Sequence, residues 1–358
     1  MKKVALLLAL TILLSACSSG GQTSGSASPQ TSAPNAAASE AAMEGESLGN
    51  GEKVMIQHVV SLENPWHKGS EKMVEILKNA GFDAEVFGNG VLCQNDWKLM
   101  FEQTQSGSND IAIESATSLT SIVPEVFAIN LPFVFNDQDH LDRWLQSDSQ
   151  IISQWQEKFA EKNLIILAMC SKPFRQLINN QKIIKTPDDI KGLKFRVPDT
   201  PTFVKVFESM GAKPVALAGS EIYSAIQLGT VVGQDNSVPN VYDFKTHEVA
   251  KYMTIWNYMG DASIVVMNKQ KYDALSPEQQ ELLREAGREF VKVNLEADKE
   301  YYDYAWSEME KSGVEFYVMP PEEKELFANL MGPVYADFAA TIGQENWEIL
   351  MQEIAAVK

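Results

Sequence analysis

Residues 186–198 read TPDDIKGLKFRVP and contain a predicted short helix followed at once by a predicted β-strand. Thr186 has the side chain of a helix N-cap, and Pro187 takes the first helical position, where the missing N–H is not needed. Over residues 193–197, apolar and polar side chains alternate, which is typical of a strand with one buried face. Arg196 lies at the end of that strand, directly before a proline. The stretch therefore predicts one helix–strand unit of an α/β fold.

The same alternation of strands and helices occurs earlier in the chain. We predict strands over 54–60, 82–87 and 110–114, with helices over 65–80 and 96–105 between them. Helices of this length between strands indicate βαβ units and a mostly parallel sheet.

A second series of the same kind begins near Cys170. Its predicted elements are strands over 174–179, 193–197, 215–217 and 231–235, and helices over 187–191, 201–210 and 221–228. The chain then returns to a strand over 262–267, which we assign to the first series. Two such series predict two lobes joined by crossing segments.

The longest uninterrupted helical pattern covers residues 277–311. As one helix it would be about 50 Å long, which exceeds the width of one lobe, so we expect it to span both. A strand over 314–318 and two amphipathic helices within 321–354 complete the chain. The predicted division is 52–172 plus 262–302 for lobe 1, and 173–261 plus 303–358 for lobe 2.

The N-terminus has the pattern of an export signal. Lys2 and Lys3 precede an apolar run that is too short and too narrowly flanked to be a membrane-spanning helix. Cys17 follows small residues and resembles the lipidated cysteine of bacterial lipoproteins. We therefore expect a lipoprotein signal peptide over 1–16 and a flexible tether over 17–51 that begins with the lipidated cysteine. The protein is then extracytoplasmic and attached to the membrane through lipid only.

Acidic side chains dominate the composition, because 48 of them face 30 basic ones, for a formal net charge of −18. The chain lacks the basic footprint that nucleic acid or an acidic lipid surface requires, and self-repulsion favours a monomer. Any anionic ligand must be held by a few local cations. An oxidising compartment permits a disulfide between Cys93 and Cys170, but we favour two free, partly buried thiols.

Motifs of catalysis are missing from the sequence. No CxxC, Walker A, GxSxG or GxGxxG pattern occurs, and His58, His67, His140 and His247 are not spaced as metal ligands. We therefore predict a protein that is not an enzyme and that needs no cofactor and no metal. His67, near the start of its predicted helix, stays a candidate for ligand binding.

Better candidates for ligand binding lie where predicted strands end, since ligands of open α/β sheets collect at the carboxyl ends of strands. Arg196 offers a guanidinium group whose donors match a carboxylate. Glu114 ends an apolar strand, Asn236 follows another, and Arg175 lies near the presumed hinge. On pattern alone, an exposed position or a structural ion pair remains the alternative for both arginines.

Residues 186–198 closely resemble the "tP.DlkGlk.RvP" signature of the substrate-binding receptors of TRAP (tripartite ATP-independent periplasmic) transporters. Three further motifs of that family occur in its order, namely LPFVF at 131–135, SEIYSAIQLG at 220–229 and GQDN at 233–236. The similarity extends over about residues 53–345.

The resemblance implies a two-lobed, periplasmic-binding-protein-like (type II-like) α/β receptor. Such a receptor closes on an organic acid and delivers it to small and large integral-membrane subunits. The family's signature arginine, which forms a salt bridge with the ligand carboxylate, falls on Arg196, and a second family arginine falls on Arg175. The family's asparagine falls on Asn236, and its strand-end glutamate falls on Glu114.

The sequence departs from the family pattern at three places. Asp235 stands where the family usually has glutamate, which shortens a carboxylate near a helix cap or the ligand. Leu92 and Cys93 replace the glycine of a loop in the first lobe. Trp66 and His67 occupy a segment that resembles the family's "hP.h" pattern. Trp66 packs either on the ligand or, as we favour, in the core or hinge.

Three other functions share parts of this pattern. A sugar or peptide receptor of an ATP-driven importer would use aromatic stacking in place of an arginine. A lipoprotein enzyme acting on cell-wall material would need paired carboxylates or a nucleophile. A sensor for a membrane kinase would share the binding chemistry but not the transport partner. A receptor that delivers an organic acid to a secondary-active transporter is our prediction.

Overall fold

Nine β-strands form one mixed sheet in the computed structural model, which describes residues 47–358. The strands are β1 (Lys53–Gln57), β2 (Asp83–Phe87), β3 (Ile111–Ser115), β4 (Leu164–Asn179), β5 (Lys194–Val197), β6 (Lys213–Ala216), β7 (Gly233–Asn236), β8 (Tyr252–Asn268) and β9 (Glu315–Val318). Their order is β2–β1–β3–β8–β4–β7–β5–β6, with β9 paired to β8. Most strand pairings are parallel, as predicted, but the sheet is mixed because β4 runs antiparallel to β7 and β8, and β8 antiparallel to β3.

Fourteen α-helices occur in the same residues. They are α1 (Pro65–Asn79), α2 (Trp97–Ser106), α3 (Ala116–Leu119), α4 (Gln138–Leu145), α5 (Gln150–Ala160), α6 (Pro187–Ile190), α7 (Pro201–Ser209), α8 (Ile222–Gln227), α9 (Val238–Asp243), α10 (Lys269–Ala274), α11 (Pro277–Lys311), α12 (Pro321–Ala328), α13 (Gly332–Ile342) and α14 (Gln344–Ala356). Short 3-10 helices cover Pro124–Asn130, Gly219–Glu221 and Thr246–Glu248. Helix α11 begins with a capping box of Ser276 and Gln279 and has the range that the sequence predicts.

The long antiparallel strands β4 and β8 connect the two halves of the sheet. The first part of β4 and the last part of β8 pair with each other in the half that contains β1, β2 and β3. The remaining parts pair in the other half, where β7 and β9 flank them. Their register is irregular between Lys172 and Arg175. These strands are the crossing segments of the predicted two-lobed α/β fold, which is confirmed.

Both crossing strands are longer than the sequence predicts. β4 begins at Leu164 and not at residue 174, and β8 begins at Tyr252 and not at residue 262. Nearly every side chain of both strands is at least half-buried, so neither strand shows the alternation of a one-faced strand. Polar residues such as Lys172 and Asp261 also interrupt their apolar runs.

Helix α11 packs against two separate hydrophobic clusters. Leu283 and Phe290 belong to a cluster with α1 and β1, and Met309 belongs to another with α8 and α9. A Cβ added at Gly287 would lie 3.1 Å from the carbonyl oxygen of Leu167, so glycine permits the close approach of α11 to β4. The helix therefore spans both halves, as expected.

The C-terminus forms three helices and not the predicted two. α13 and α14 are separated by Gly343, whose φ of 85° is the left-handed region that suits glycine. Helix α13 packs against α7, whereas α14 packs against α4 and α5. The His140 ring lies 2.8 Å from the carbonyl oxygen of Ile354 and fixes this last contact. The predicted boundaries of the two lobes stay a prediction.

The signal peptide, Cys17 and the tether as far as residue 46 lie outside the described residues. Residues 47–51, the last part of the predicted tether, form a turn in which the Gly49 N–H donates to the carbonyl oxygen of Ala80 over 2.8 Å. Within 47–358, no helix has the length and apolar composition that crossing a membrane requires. Cys93 and Cys170 are free, as predicted, and both are fully buried.

Candidate functional site

Four of the predicted site residues lie on strands of the sheet, of which β4, β7 and β5 are neighbours and β3 is separated from β4 by β8. Arg196 is near the end of β5, beside Gln234 of β7, and Asn236 ends β7. Arg175 lies in the irregular part of β4, and Glu114 lies near the end of β3. All four are at least nine-tenths buried. The strand-end argument therefore identifies polar side chains that the fold buries.

Arg175 forms a structural ion pair with Asp235. Its Nε donates to Asp235 Oδ2 over 2.6 Å, and its Nη2 donates to the Asp235 carbonyl oxygen over 3.0 Å. Burial by itself lowers the pKa of Arg175, but the charge of Asp235 raises that pKa above its ordinary value. The Tyr258 hydroxyl also donates to Asp235 Oδ2, over 2.8 Å. Asp235 is therefore a firm partner of Arg175, although it is shorter than the family's usual glutamate.

Arg196 is buried without an acidic partner. Its Nε donates to the Leu217 carbonyl oxygen over 2.9 Å, and no carboxylate in residues 47–358 lies within 4.0 Å of the guanidinium group. Burial, with the neighbouring positive charge of Arg175, lowers the pKa of Arg196 to about 10. Asp235 opposes that shift but is engaged with Arg175. A buried cation in this state gains most from a negatively charged hydrogen-bond acceptor.

Lys172 and Asp261 belong to the same polar cluster, and sequence reasoning missed them. Lys172 Nζ lies 3.4 Å from Asp261 Oδ2, and Arg175 Nη1 lies 3.9 Å from the same oxygen. Asp261 also accepts from the Ser115 hydroxyl over 2.7 Å. Burial works against ionisation of Asp261, yet Lys172 and then Arg175 lower its pKa below the ordinary value. The signal available in the sequence was a lysine and an aspartate inside otherwise apolar strand segments.

Glu114 has a partly satisfied carboxyl group. Its Oε1 accepts from the Ser115 N–H over 2.8 Å and from the Ser118 hydroxyl over 3.1 Å, whereas Oε2 is buried and has no hydrogen-bond partner in the described part of the chain. Burial raises the pKa of Glu114 from 4.5 to about 7. The side chain can therefore donate or accept a hydrogen bond near neutral pH.

Asn236 uses its side chain to shape the start of α9. Its Oδ1 accepts from the Ser237 N–H over 3.1 Å and from Asn240 Nδ2 over 2.9 Å. Its Nδ2 donates to Gln234 Oε1 over 3.3 Å. Asn236 thus lies beside the arginines, but its recorded hydrogen bonds are internal.

Trp66 and His67 approach the cluster from the start of α1. Lys172 Nζ lies 4.7 Å from the centre of the buried Trp66 ring, a cation–π geometry. His67 Nδ1 lies 3.1 Å from His58 Nε2, and His67 Nε2 lies 3.8 Å from Glu71. Burial, followed by the neighbouring His67, lowers the pKa of His58 to about 4, so His58 is neutral. Trp66 therefore packs in the hydrophobic cluster of α1 and β1, and its ring also contacts a cation.

The loop with Leu92 and Cys93 contains several residues with positive φ, among them Asn89, Gly90 and Asn95. The buried Cys93 Sγ lies 3.6 Å from the Gly90 carbonyl oxygen. The Cys93 side chain therefore contacts the backbone of its own loop, in the segment where the family pattern has a glycine.

A separate cavity of about 490 Å³ lies between α4, the crossing strands and α11. Ser171, Asp142 and Asp298 are among its lining residues, and none of the predicted site residues lines it. In residues 47–358, no group of three or more His, Cys, Asp or Glu side chains is arranged to hold a metal ion. The arginine cluster is thus the better place for an anionic ligand.

Known bacterial solute-binding proteins resemble this chain in sequence and in structure. The profile of "Bacterial extracellular solute-binding protein, family 7" matches residues 56–341. The chain is 29% identical over 314 residues to the C4-dicarboxylate-binding periplasmic protein DctP of Rhodobacter capsulatus, covering 85% of this chain and 90% of that protein. A TRAP periplasmic solute binding protein of Pseudomonas putida F1 with bound D-glucuronate is 27% identical, with a TM-score of 0.77 over 86% of this chain and 97% of that one. One from Sulfitobacter with bound β-D-galacturonate is 25% identical, with a TM-score of 0.77 over 85% and 99%.

Proposed function

The chain belongs to family 7 of the bacterial extracellular solute-binding proteins, and on that premise we propose that it captures an organic acid and delivers it to a TRAP transporter. The relatives described above are transport receptors that bind carboxylates, and binding without turnover is the function that we infer here. The ligand carboxylate lies, in this proposal, against Arg196.

The observation that carries the proposal is the buried guanidinium group of Arg196, which has no carboxylate of residues 47–358 within 4.0 Å, although Asp235 and Glu221 act on it from further away. Burying a charge without a partner is costly, and a paired, hydrogen-bonded carboxylate removes that cost. Arg175 does not need such a partner because Asp235 supplies one. A ligand carboxylate at Arg196 would therefore be bound by charge and by the planar geometry of the guanidinium donors.

Capture by closure follows from the placement of the cluster. Arg196, Arg175 and Asn236 lie in the predicted lobe 2, and Glu114, Trp66 and His67 lie in the predicted lobe 1. A ligand that contacts both sets favours the conformation in which they are close, which is a shift of population between open and closed states. The crossing strands β4 and β8 are the segments about which such a motion would occur.

The partners that we propose are the small and large integral-membrane subunits of a TRAP transporter. Attachment to the membrane through a lipid on Cys17 and a monomeric state are further parts of the proposal. They are supported by the sequence pattern around Cys17 and by the net charge of −18.

Thermal unfolding of the purified full chain with a panel of mono- and dicarboxylic acids tests the proposal. A ligand at about 100 times its dissociation constant adds about 2.7 kcal/mol of stability, which raises the melting temperature by a few degrees. Arg196→Met should abolish that increase. Arg288→Met, which removes an exposed arginine paired with Glu281 on α11, is the matched control and should keep it.

Two results would contradict the proposal. One is a panel in which no acid stabilises the wild-type protein. The other is an acid whose dissociation constant, measured by calorimetry, is the same for the wild type and Arg196→Met.

A further inference from the structure

We infer that the ligand carries one carboxylate only, and that its other polar groups are uncharged hydroxyl or carbonyl groups. This inference rests on the proposed function and narrows its substrate class. Relatives of this chain include a C4-dicarboxylate-binding protein and proteins with bound uronates, which have one carboxylate, so the family alone does not decide between the two classes.

The argument begins with the buried cations of the site. Lys172, Arg175 and Arg196 are each less than one-tenth exposed. Asp235 pairs with Arg175 over 2.6 Å, and Asp261 pairs with Lys172 over 3.4 Å. Two of the three cations are thus matched one-to-one by carboxylates of the protein, and Arg196 is left over. One ligand carboxylate would supply the ion-pair partner that Arg196 lacks among residues 47–358.

A second ligand carboxylate would need a second available cation, and Lys172 does not provide one. Its ammonium group lies between Asp261 and the face of the Trp66 ring. Burial raises the pKa of Glu114 and of Asp298, and the nearby charge of Lys172 opposes that rise in both. Lys172 is therefore already engaged, and a second ligand carboxylate would have to compete with Asp261 for it.

His67 is the remaining basic side chain at the site, and both of its ring nitrogens face neighbours. Nδ1 lies 3.1 Å from His58, and Nε2 lies 3.8 Å from Glu71. A dicarboxylate would have to displace one of these contacts or leave its second charge buried without a partner. An uncompensated buried charge costs several kcal/mol.

The side of the cluster away from Arg196 suits hydroxyl groups. Glu114 Oε2 is buried without a hydrogen-bond partner in residues 47–358, and the Ser118 hydroxyl lies beside the other oxygen of that carboxyl group. A ligand hydroxyl can hydrogen-bond with this oxygen in either protonation state of Glu114, whereas a ligand carboxylate can do so only with the protonated form. A hydroxylated monocarboxylic acid, such as a sugar acid, satisfies both ends of the site.

Matched pairs of ligands test the inference by calorimetry on the purified full chain. D-Gluconate and D-glucarate are both open six-carbon acids that differ in one carboxylate, and 4-hydroxybutyrate and succinate form a four-carbon pair. The monocarboxylate of a pair should bind on the order of 100-fold more tightly than its dicarboxylate. A dicarboxylate that binds as tightly or more tightly overturns this inference and leaves the proposed function intact. If no acid binds, the proposed function fails and the inference fails with it.

Asp261→Asn provides a second test because it frees Lys172 without changing the shape of the side chain. The affinity ratio of dicarboxylate to monocarboxylate should rise by on the order of 10-fold in this variant. Asp273→Asn, at an exposed pair with Lys269 on α10, is the control and should leave the ratio unchanged. An unchanged ratio in a folded Asp261→Asn protein contradicts the assignment of charges. If melting without ligand shows that the variant is unfolded, the wild-type ratio decides.

Discussion

Arg175 and Arg196 are two buried guanidinium groups of the same polar cluster, and their surroundings give them opposite properties. Asp235 lies 2.6 Å from Arg175 and raises its pKa, whereas burial and the charge of Arg175 lower the pKa of Arg196 to about 10. The first arginine is part of the protein's internal structure. The second is held in a buried position where, within residues 47–358, only the carbonyl oxygen of Leu217 accepts a hydrogen bond from it.

This contrast explains how an acidic protein can bind an acid. The net charge of −18 gives no general attraction for anions, so attraction must be local. Asp235 fixes Arg175 in place, and Arg175 in turn keeps a positive charge beside Arg196. A cation without a partner is destabilising before binding, and this cost is recovered when a ligand carboxylate arrives.

Among the variants that test this contrast, Arg175→Met is expected to have the largest effect on stability. The substitution leaves Asp235 buried without its cation, so we expect the free energy of unfolding to fall by about 3–5 kcal/mol. Urea denaturation followed by circular dichroism measures this. A loss below about 1 kcal/mol would show that the ion pair is not the structural element that its geometry indicates.

A smaller effect is expected from Glu114→Gln, and it depends on pH. Because the pKa of Glu114 is about 7 in the folded protein and 4.5 ordinarily, the folded state holds a proton that the unfolded state has lost between these values. The contribution of Glu114 to the free energy of unfolding is therefore fully present below pH 4.5. About 3 kcal/mol of it is lost as the pH rises to 7.

Glu114→Gln should therefore reduce the fall in stability between pH 4.5 and 7 relative to the wild type. Burial raises the pKa of Asp298 to about 7 as well, and this residue is intact in both proteins, so it cancels in the comparison. Glu102→Gln, at an exposed position of α2, is the control and should follow the wild-type curve. Parallel curves for wild type and Glu114→Gln would contradict the prediction.

Asp189→Ala removes the accessible ion pair of Lys182 and Asp189, for comparison with the buried pair of Arg175 and Asp235. Asp189 accepts from the Thr186 N–H over 3.0 Å and from Lys182 Nζ over 2.8 Å at the start of α6. Loss of this cap should lower the free energy of unfolding by about 1 kcal/mol, much less than Arg175→Met. Asp188→Ala at the neighbouring position is the matched control in chemical denaturation. Equal losses for the two alanine variants would show that the cap contributes nothing specific.

The smallest effect on stability is expected from Arg196→Met. The substitution removes a buried charge that has no acidic partner, so the stability without ligand should change by less than about 1 kcal/mol or should increase. The measurement is the same denaturation experiment as for Arg175→Met. A loss as large as that of Arg175→Met would abolish the distinction between the two arginines.

Much of the fold could be predicted because its elements have local signals. The capped helix starts and the closing glycines of the two α/β series are encoded within a few residues, and α11 matches its predicted range 277–311. The crossing strands could not be bounded this way. Their flanks are buried on both faces, so β4 and β8 lack the alternation by which a strand is recognised.

Only part of the candidate site could be predicted, because only some of its residues lie in local motifs. Arg196 and Arg175 have positions in motifs, so the sequence identifies them as candidates. Lys172 and Asp261 are separated by 89 positions along the chain, and only the pairing of β4 with β8 brings their side chains together. No local pattern could have predicted that pair.

The sequence by itself determined the two α/β series, the long helix and the identity of the arginines, because short-range capping and periodicity encode them. Which arginine is paired was decided only by the tertiary structure. The partner of a buried charge is chosen by strand register and by the burial that makes an unpaired charge costly, and both depend on residues distant in the chain. Asp235 and Tyr258 meet at Arg175, and Arg196 is left without an acid for this reason.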